Sequence, residues 1–570
     1  MKILFLTVIF ISQLLAAYAA NIPLMPVRDL KAGMAGTGKT VVYGDTIEEF
    51  DVEILGVTGS EAAGYNILVR LYGDLIESTG GVAQGMSGSP VFVDGRLVGA
   101  VAFGRAFNDP HYCFLTPIGK MLRLLDEGGE KENSWLPVSG PLMAGGFSVE
   151  GLSYLNEKLA PFGLSAVDAG GSGGPGTLAS GPLMPGSSVA VSLMQGDLTL
   201  GALGTVTWTD DEGHLLAFGH PFMQRGDSNF YMNKVWVLGI VPNLQSGYKV
   251  ATLGEAVGRF NQDRASGVGG KLGTLPDAIP LFIEVQDLDR SITKNLSLSV
   301  IDDDQLIGTI VEAAVVNAVS LAADRGGGGT ARLAFTVVGE NSAGETLRIQ
   351  RDNMYYASAG ISKIMSAELL EALNILSKNK FEAIRLKDIK VEASLSEPPQ
   401  VVEVVSAGVR SRKVKPGEKV DIQVKLKPYR GKEFARNIFF TVPKNHSGGR
   451  LHLNVRGGAS MAWAVKLLRK QQQEGEDVQP KQDKRRNLGD FIKAFNEADK
   501  NNELIVDIAA GAGTAPKETP EAETQGGAGL MGLLAGTPNK TKEACDFIID
   551  GECDIYLVVE KPEADEDAEK

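Results

Sequence analysis

Apolar and polar positions alternate with a period of two along much of this chain. Across 50–57, apolar Phe50, Val52 and Ile54 are interleaved with acids, the pattern of a strand with one buried face. Residues 67–71 predict another strand, and Val420, Ile422, Val424 and Leu426 repeat the pattern after the turn Lys415-Pro416-Gly417-Glu418. Val91-Phe92-Val93, Asp94-Gly95 and then Leu97, Val98, Ala100 and Val101 predict a hairpin, because an Asp-Gly pair suits a tight turn whose central residues take positive φ. A second hairpin is predicted from the alternating stretch 201–208, the turn Asp210-Asp211-Glu212-Gly213, and 215–218, which ends at Gly219-His220-Pro221. Helical spacing is confined to 117–125, 154–159, 363–378, 460–473 and 488–495.

Glycine supplies 69 of the 570 residues, which with so few helices favours a mainly β, turn-rich chain. The length allows three to five domains. The charged, glycine-containing stretch 127–135 and the glycine run 170–176 read as linkers, and 509–537, rich in Gly, Ala, Thr and Pro, as a mobile loop. The expected divisions are 1–19, 20–135, 136–330, a mixed α/β connector 331–395, an Ig-like β-sandwich 396–457, and a small α/β region 458–570 ending in an acidic tail.

A net charge of −14 argues against a nucleic-acid or anionic-membrane surface, and the basic run Lys484-Arg485-Arg486 is short enough for a solvated face. Met1-Lys2, the apolar stretch 3–15 and Ala17-Tyr18-Ala19 form an export signal. Its apolar part is too short to span a bilayer, and no later stretch is long enough to do so. An exported protein, periplasmic or extracellular, is expected. That setting permits disulfides: Cys545 and Cys553 either bridge around Asp550-Gly551 or stay free, and Cys113 is left to packing.

Two glycine-rich stretches carry candidate chemistry. Gly33-Met34-Ala35-Gly36-Thr37-Gly38-Lys39-Thr40 matches the phosphate-loop pattern letter for letter, but Val41-Val42-Tyr43-Gly44 reads as strand and turn where that motif needs a helix. No nucleotide, metal or other cofactor is expected. In Gly85-Met86-Ser87-Gly88-Ser89-Pro90 the flanking glycines let successive N–H groups converge. A hydroxyl beside such donors suits acyl transfer, with Ser87 as nucleophile and the N–H groups of Gly85 and Ser87 as oxyanion donors. The plainer reading is a turn kept for its shape, with Ser89 a turn residue. The base would come from five histidines: His111, His214, His220, His446 and His452.

The GMSGSP turn with its hairpin, the upstream segments 47–55 and 79–81, and Phe107-Asn108-Asp109-Pro110 together resemble the SpoIVB peptidase family of exported, trypsin-like serine peptidases. The resemblance is good over about 30–125 and weaker around Gly219-His220-Pro221 and 260–275. It implies a trypsin-like double β-barrel core, with 20–135 as the serine-bearing half and 136–330 as the histidine-bearing half, in an order permuted relative to the family. It implies His220 as base; His111, near the serine in sequence, is the second candidate, and His214, in the turn after Gly213, is left to solvent. The family's acid maps near Tyr72-Gly73, which makes Asp74 the candidate orienter of His220; Asp227, after the Gly-His-Pro segment, is the other candidate. The implied function is serine endopeptidase acting on a protein or peptide substrate. A non-catalytic scaffold that holds an envelope protein through its C-terminal domains, and a protein that cuts only itself, are the alternatives.

Overall fold

A computed structural model describes residues 22–60, 64–104, 109–126, 136–137, 140–169, 181–242, 247–323, 327–459, 487–509 and 540–561. The expected export signal at 1–19, the stretches 127–135 and 170–176 expected as linkers, Phe107-Asn108, the helix expected at 460–473, the basic run at 484–486, and residues 510–537 and 562–570 lie outside the described residues. The chain divides into two compact units, Met1–Leu281 with Leu296–Asn317, and Phe282–Asn295 with Ala318–Lys570.

The first unit holds two antiparallel barrels of six strands each. In the first, Ala35–Val41, Ile47–Ser60, Gly64–Tyr72, Tyr112–Pro117, Arg96–Gly104 and Pro90–Val93 pair in that order. The ring closes where Thr37 and Gly38 meet Phe92 and Val91. Inward Phe50, Val52 and Ile54 form its core with Val69, Leu71 and Val91, so the alternation read from 50–57 is the barrel's inner face. The stretch resembling a phosphate loop is the strand Ala35–Val41. Gly38 stands opposite Phe50, and a Cβ there would lie 2.2 Å from its ring, so the glycine makes room for an aromatic side chain. The Asp94-Gly95 turn takes the expected positive φ, 51° and 73°.

In the second barrel, Ser188–Gly196, Thr199–Thr209, His214–Ala217, Gly267–Leu272, Tyr248–Arg264 and Gly226–Val241 pair in turn. Gly226–Val241 returns to Ser188–Gly196 through Val189↔Lys234 to Ser192↔Tyr231. The double-barrel core expected from the resemblance is therefore present, serine barrel first. The helix Ile118–Asp126 joins the barrels through a shared apolar cluster: its Met121 and Leu124 sit with Leu97 and Ala100 of the first and Leu216 of the second.

The second unit is also mainly β. Gly329–Asn341, Thr346–Ala357 and Ile384–Ser396 form an antiparallel sheet, with Ile361–Met365, Ala367–Ser377 and Leu488–Glu497 as its helices. A two-sheet sandwich follows, but it extends beyond 396–457. One sheet adds Ile548–Asp550, and the other adds Glu503–Ile508, Thr541–Ala544 and Glu552–Val559. The reason is burial: Leu504, Val506, Ile549, Ile555 and Leu557 complete the core that Ile422, Val424, Leu453 and Val455 begin. Cys545 and Cys553 are unbridged. No helix among the described residues is long and apolar enough to cross a membrane.

Candidate active site

Ser87 sits in a loop of the first barrel that is fastened to the second. Gly88 N–H donates to Val101 O at 2.7 Å, and Thr205 N–H donates to Ser87 O at 2.7 Å. The hydroxyls of Thr205 and Thr207 donate to the carbonyls of Gly85 and Gly88, at 3.1 and 2.7 Å. Gly88 has φ 93°, and a Cβ there would lie 1.9 Å from Thr205 O and 2.5 Å from Phe218 N. No other residue fits so close an approach.

Ser87 is fully buried and its Oγ has no hydrogen-bond partner among the described residues. Gly85 N–H and Ser87 N–H likewise donate to nothing among the described residues, although both residues are buried. Such groups are costly to leave unmatched, at about 1–3 kcal/mol each, so three together mark a place shaped for something that accepts hydrogen bonds.

His220 follows a turn in which Phe218 and Gly219 both take φ 68°. A positive φ at phenylalanine is backbone strain of the kind that gathers at functional turns. Thr116 Oγ1 holds Gly219 O at 2.5 Å. Gly219 also packs on Val101, whose carbonyl lies 3.2 Å from where a Gly219 Cβ would stand. That carbonyl is the acceptor for Gly88 N–H, so the residue after Ser87 and the residue before His220 both lie beside Val101. The imidazole is fully buried and lies near Phe218 and Phe103, at ring-centroid distances of 5.8 and 6.2 Å. Nδ1 is 2.7 Å from Pro221 O. A carbonyl only accepts, so Nδ1 carries the proton of the neutral ring and Nε2 is the basic nitrogen.

Asp74 is exposed and opens the short helix Asp74–Thr79. Asp227 is exposed and paired with Arg264 at 2.7 Å. At His220 Nδ1, where a triad acid would stand, the partner is the Pro221 carbonyl. His111 is held by Asp109 at 2.7 Å and His214 by Asp210 at 2.8 Å. His111 is in a turn and His214 opens the strand His214–Ala217, and each is tied to its own acid.

Two buried ionisable groups here escape a reading of the sequence. Lys249 is fully buried, and among the described residues its Nζ reaches only hydroxyls, Thr40 Oγ1 at 3.0 Å and Ser188 Oγ at 3.4 Å. Burial pulls its ammonium down to about 7. Its stem lies 3.1 Å from a Cβ position on Gly85, so it floors the serine loop. The signal was present: Lys249, Ala251 and Leu253 share the inward phase of their strand. Asp263 is also fully buried and accepts from the N–H groups of Phe222, Met223 and Arg225 at 2.7, 2.8 and 3.1 Å. Burial raises its carboxyl above the ordinary range, against the pull of those three donors.

Residues 12–122 match the family model of the SpoIVB peptidase S55. Over those residues the chain is similar to the SpoIVB peptidase family. The match covers the serine-bearing barrel with Ser87 and the Asp94-Gly95 hairpin, and ends within the helix that joins the two barrels. No curated protein and no solved structure matches the chain. The similarity to the SpoIVB peptidase family makes serine-peptidase chemistry the frame for the Ser87 loop.

Proposed function

We propose that this chain is an exported serine endopeptidase of SpoIVB type, with Ser87 as nucleophile and His220 as general base. The observation that carries this reading is the pairing of barrels around Val101 O, which brings the Ser87 loop and the His220 turn together across 133 residues of chain, at the point where Gly85 and Ser87 N–H are unmatched. Ser87 Oγ attacks a peptide carbonyl while His220 Nε2 takes the hydroxyl proton. The carbonyl oxygen, now negative, accepts from Gly85 and Ser87 N–H. The C–N bond breaks, the amine leaves with the proton returned from Nε2, and an acyl ester remains on Ser87. Water then attacks that ester and gives its proton to Nε2; the ester bond breaks, and Ser87 Oγ takes the proton back. Because both side chains are buried, the structure around them opens to admit a protein or peptide substrate. The charge at Lys2, the apolar stretch 3–15 and Ala17-Tyr18-Ala19 support an activity outside the cytosol.

One observation favours a second reading, a scaffold without catalysis: Ser87 Oγ has no hydrogen bond to any base among the described residues. A fluorophosphonate probe separates the two. The peptidase reading expects labelling of the wild type that is abolished in Ser87→Ala and falls at least about a thousandfold in His220→Ala. A folded wild type that takes no label, or labels equally in Ser87→Ala, overturns it.

A further inference from the structure

The buried carboxylate of Asp263 and the ring of His220 contact opposite ends of one peptide group. His220 Nδ1–H donates to Pro221 O at 2.7 Å, and the N–H on the other side of that peptide, from Phe222, donates to Asp263 Oδ1 at 2.7 Å. We propose that Asp263 is the positioning acid of this site, acting on His220 through the Pro221–Phe222 peptide rather than by direct contact.

A carboxylate accepting from an amide N–H pushes electron density toward the amide oxygen, and hydrogen bonds in such a chain strengthen one another. The Pro221 carbonyl therefore becomes a better acceptor for Nδ1–H. The arrangement fixes the tautomer with Nε2 unprotonated and stabilises the imidazolium formed when Nε2 takes a proton, the two services a triad acid performs. No proton leaves Asp263 or enters it.

The remaining bonds of Asp263 serve the same end. Oδ2 accepts from Met223 and Arg225 N–H, so one side chain sets the backbone of the turn that follows His220. Other charges nearby are already paired. Arg225 Nε lies 2.9 Å from Asp303, and Arg264 bonds Asp227. Full burial of Asp263 keeps its charge from being screened by water.

This inference rests on His220 being the base, and the test keeps the two apart. Fluorophosphonate labelling rates are measured against pH for wild type, Asp263→Asn and Asp227→Asn, with near-ultraviolet circular dichroism to confirm folding. Asp263→Asn is expected to label about 10- to 100-fold more slowly, short of the ~10⁴ lost with a directly bonded acid, and its acid limb is expected to move to lower pH. Asp227→Asn is expected to match wild type. A folded Asp263→Asn with the wild-type rate, or a slower rate on an unmoved acid limb, overturns the relay. If Asp263→Asn does not fold, nitrogen-15 spectra of labelled wild type decide: a His220 Nδ1–H shift that moves with the Phe222 amide as the Asp263 carboxyl ionises upholds the relay, and an Nδ1–H shift that ignores that ionisation, or protonation of the neutral ring at Nε2, overturns it. A wild type that takes no Ser87-dependent label refutes the peptidase reading instead.

Discussion

Gly88 and Lys249 are the residues whose chemistry the serine loop depends on most. Replacing Gly88 by alanine puts a methyl 1.9 Å from Thr205 O at a φ of 93°, so the loop must leave the second barrel. The expected cost is the left-handed strain, about 1–3 kcal/mol, plus the Thr205 and Thr207 bonds at about 1 kcal/mol each. Gly88→Ala should unfold at a clearly lower temperature and lose Ser87 labelling; unchanged melting would mean the loop is not clamped as described. Lys249 makes stability depend on pH. Its amine titrates at about 7 in the folded protein and near the ordinary 10.5 when unfolded, so between these values the unfolded state binds more protons. Stability therefore rises with pH, by up to about 1.4 kcal/mol per unit. The clean window is pH 7 to 9, because Cys113, whose thiol burial pushes up to about 12, opposes the trend above its ordinary value of 9. Denaturant titrations should show this slope in wild type and lose it in Lys249→Met. Equal slopes would place a solvated ammonium at that position.

At the scale of elements, what was legible followed the regularity of each pattern. The hairpin at Asp94-Gly95, the strand around Phe50–Ile54 and the helix Leu488–Glu497 were readable because turn chemistry and periodicity agree in each. The helix Ile307–Ala323 was missed because it is buried nearly all round, Glu312 and Asn317 included, and so lacks the polar stripe that marks a helix in sequence. Asp263 was hidden by a different device. Gly258 and Phe260 face inward, and simple alternation would carry Gln262 with them, but a register shift between Phe260 and Gln262 turns Asp263 in instead. Asp74 drew notice only because a family position mapped nearby. The nitrogen it was meant to hold is bonded within its own turn, to Pro221 O. Ser87 and His220 could be singled out by residue type and setting, whereas their approach depends on Thr205, Thr207 and Val101, which no local pattern marks.

At the scale of the whole molecule, chain order and spatial order part company. Each barrel closes with strands drawn from its own stretch of sequence, so the double-barrel core could be anticipated once the serine half was identified. The sandwich of the second unit could not be bounded the same way, because its later strands arrive after long intervening segments. Glu552–Val559 lies between Lys413–Val414 and Gly449–Gly457, and Ile548–Asp550 pairs in parallel with Val401–Val409. Deleting 545–561 would strip Ile548, Ile549, Ile555, Leu557 and Val559 from the core. At about 2–5 kcal/mol for each large aliphatic lost, the sum is about 10–25 kcal/mol, which matches or exceeds the roughly 5–15 kcal/mol by which a typical domain is stable. The sandwich is therefore expected to unfold although every residue of 396–457 is still present. Hydrogen exchange should show amides of Lys419–Pro428 losing protection while those of Ser188–Gly196, in the other unit's barrel, keep theirs. Retained protection in Lys419–Pro428 would mean that 396–457 folds alone, as its alternation by itself suggests. Loss in both stretches would make the barrels depend on the C-terminal strands as well.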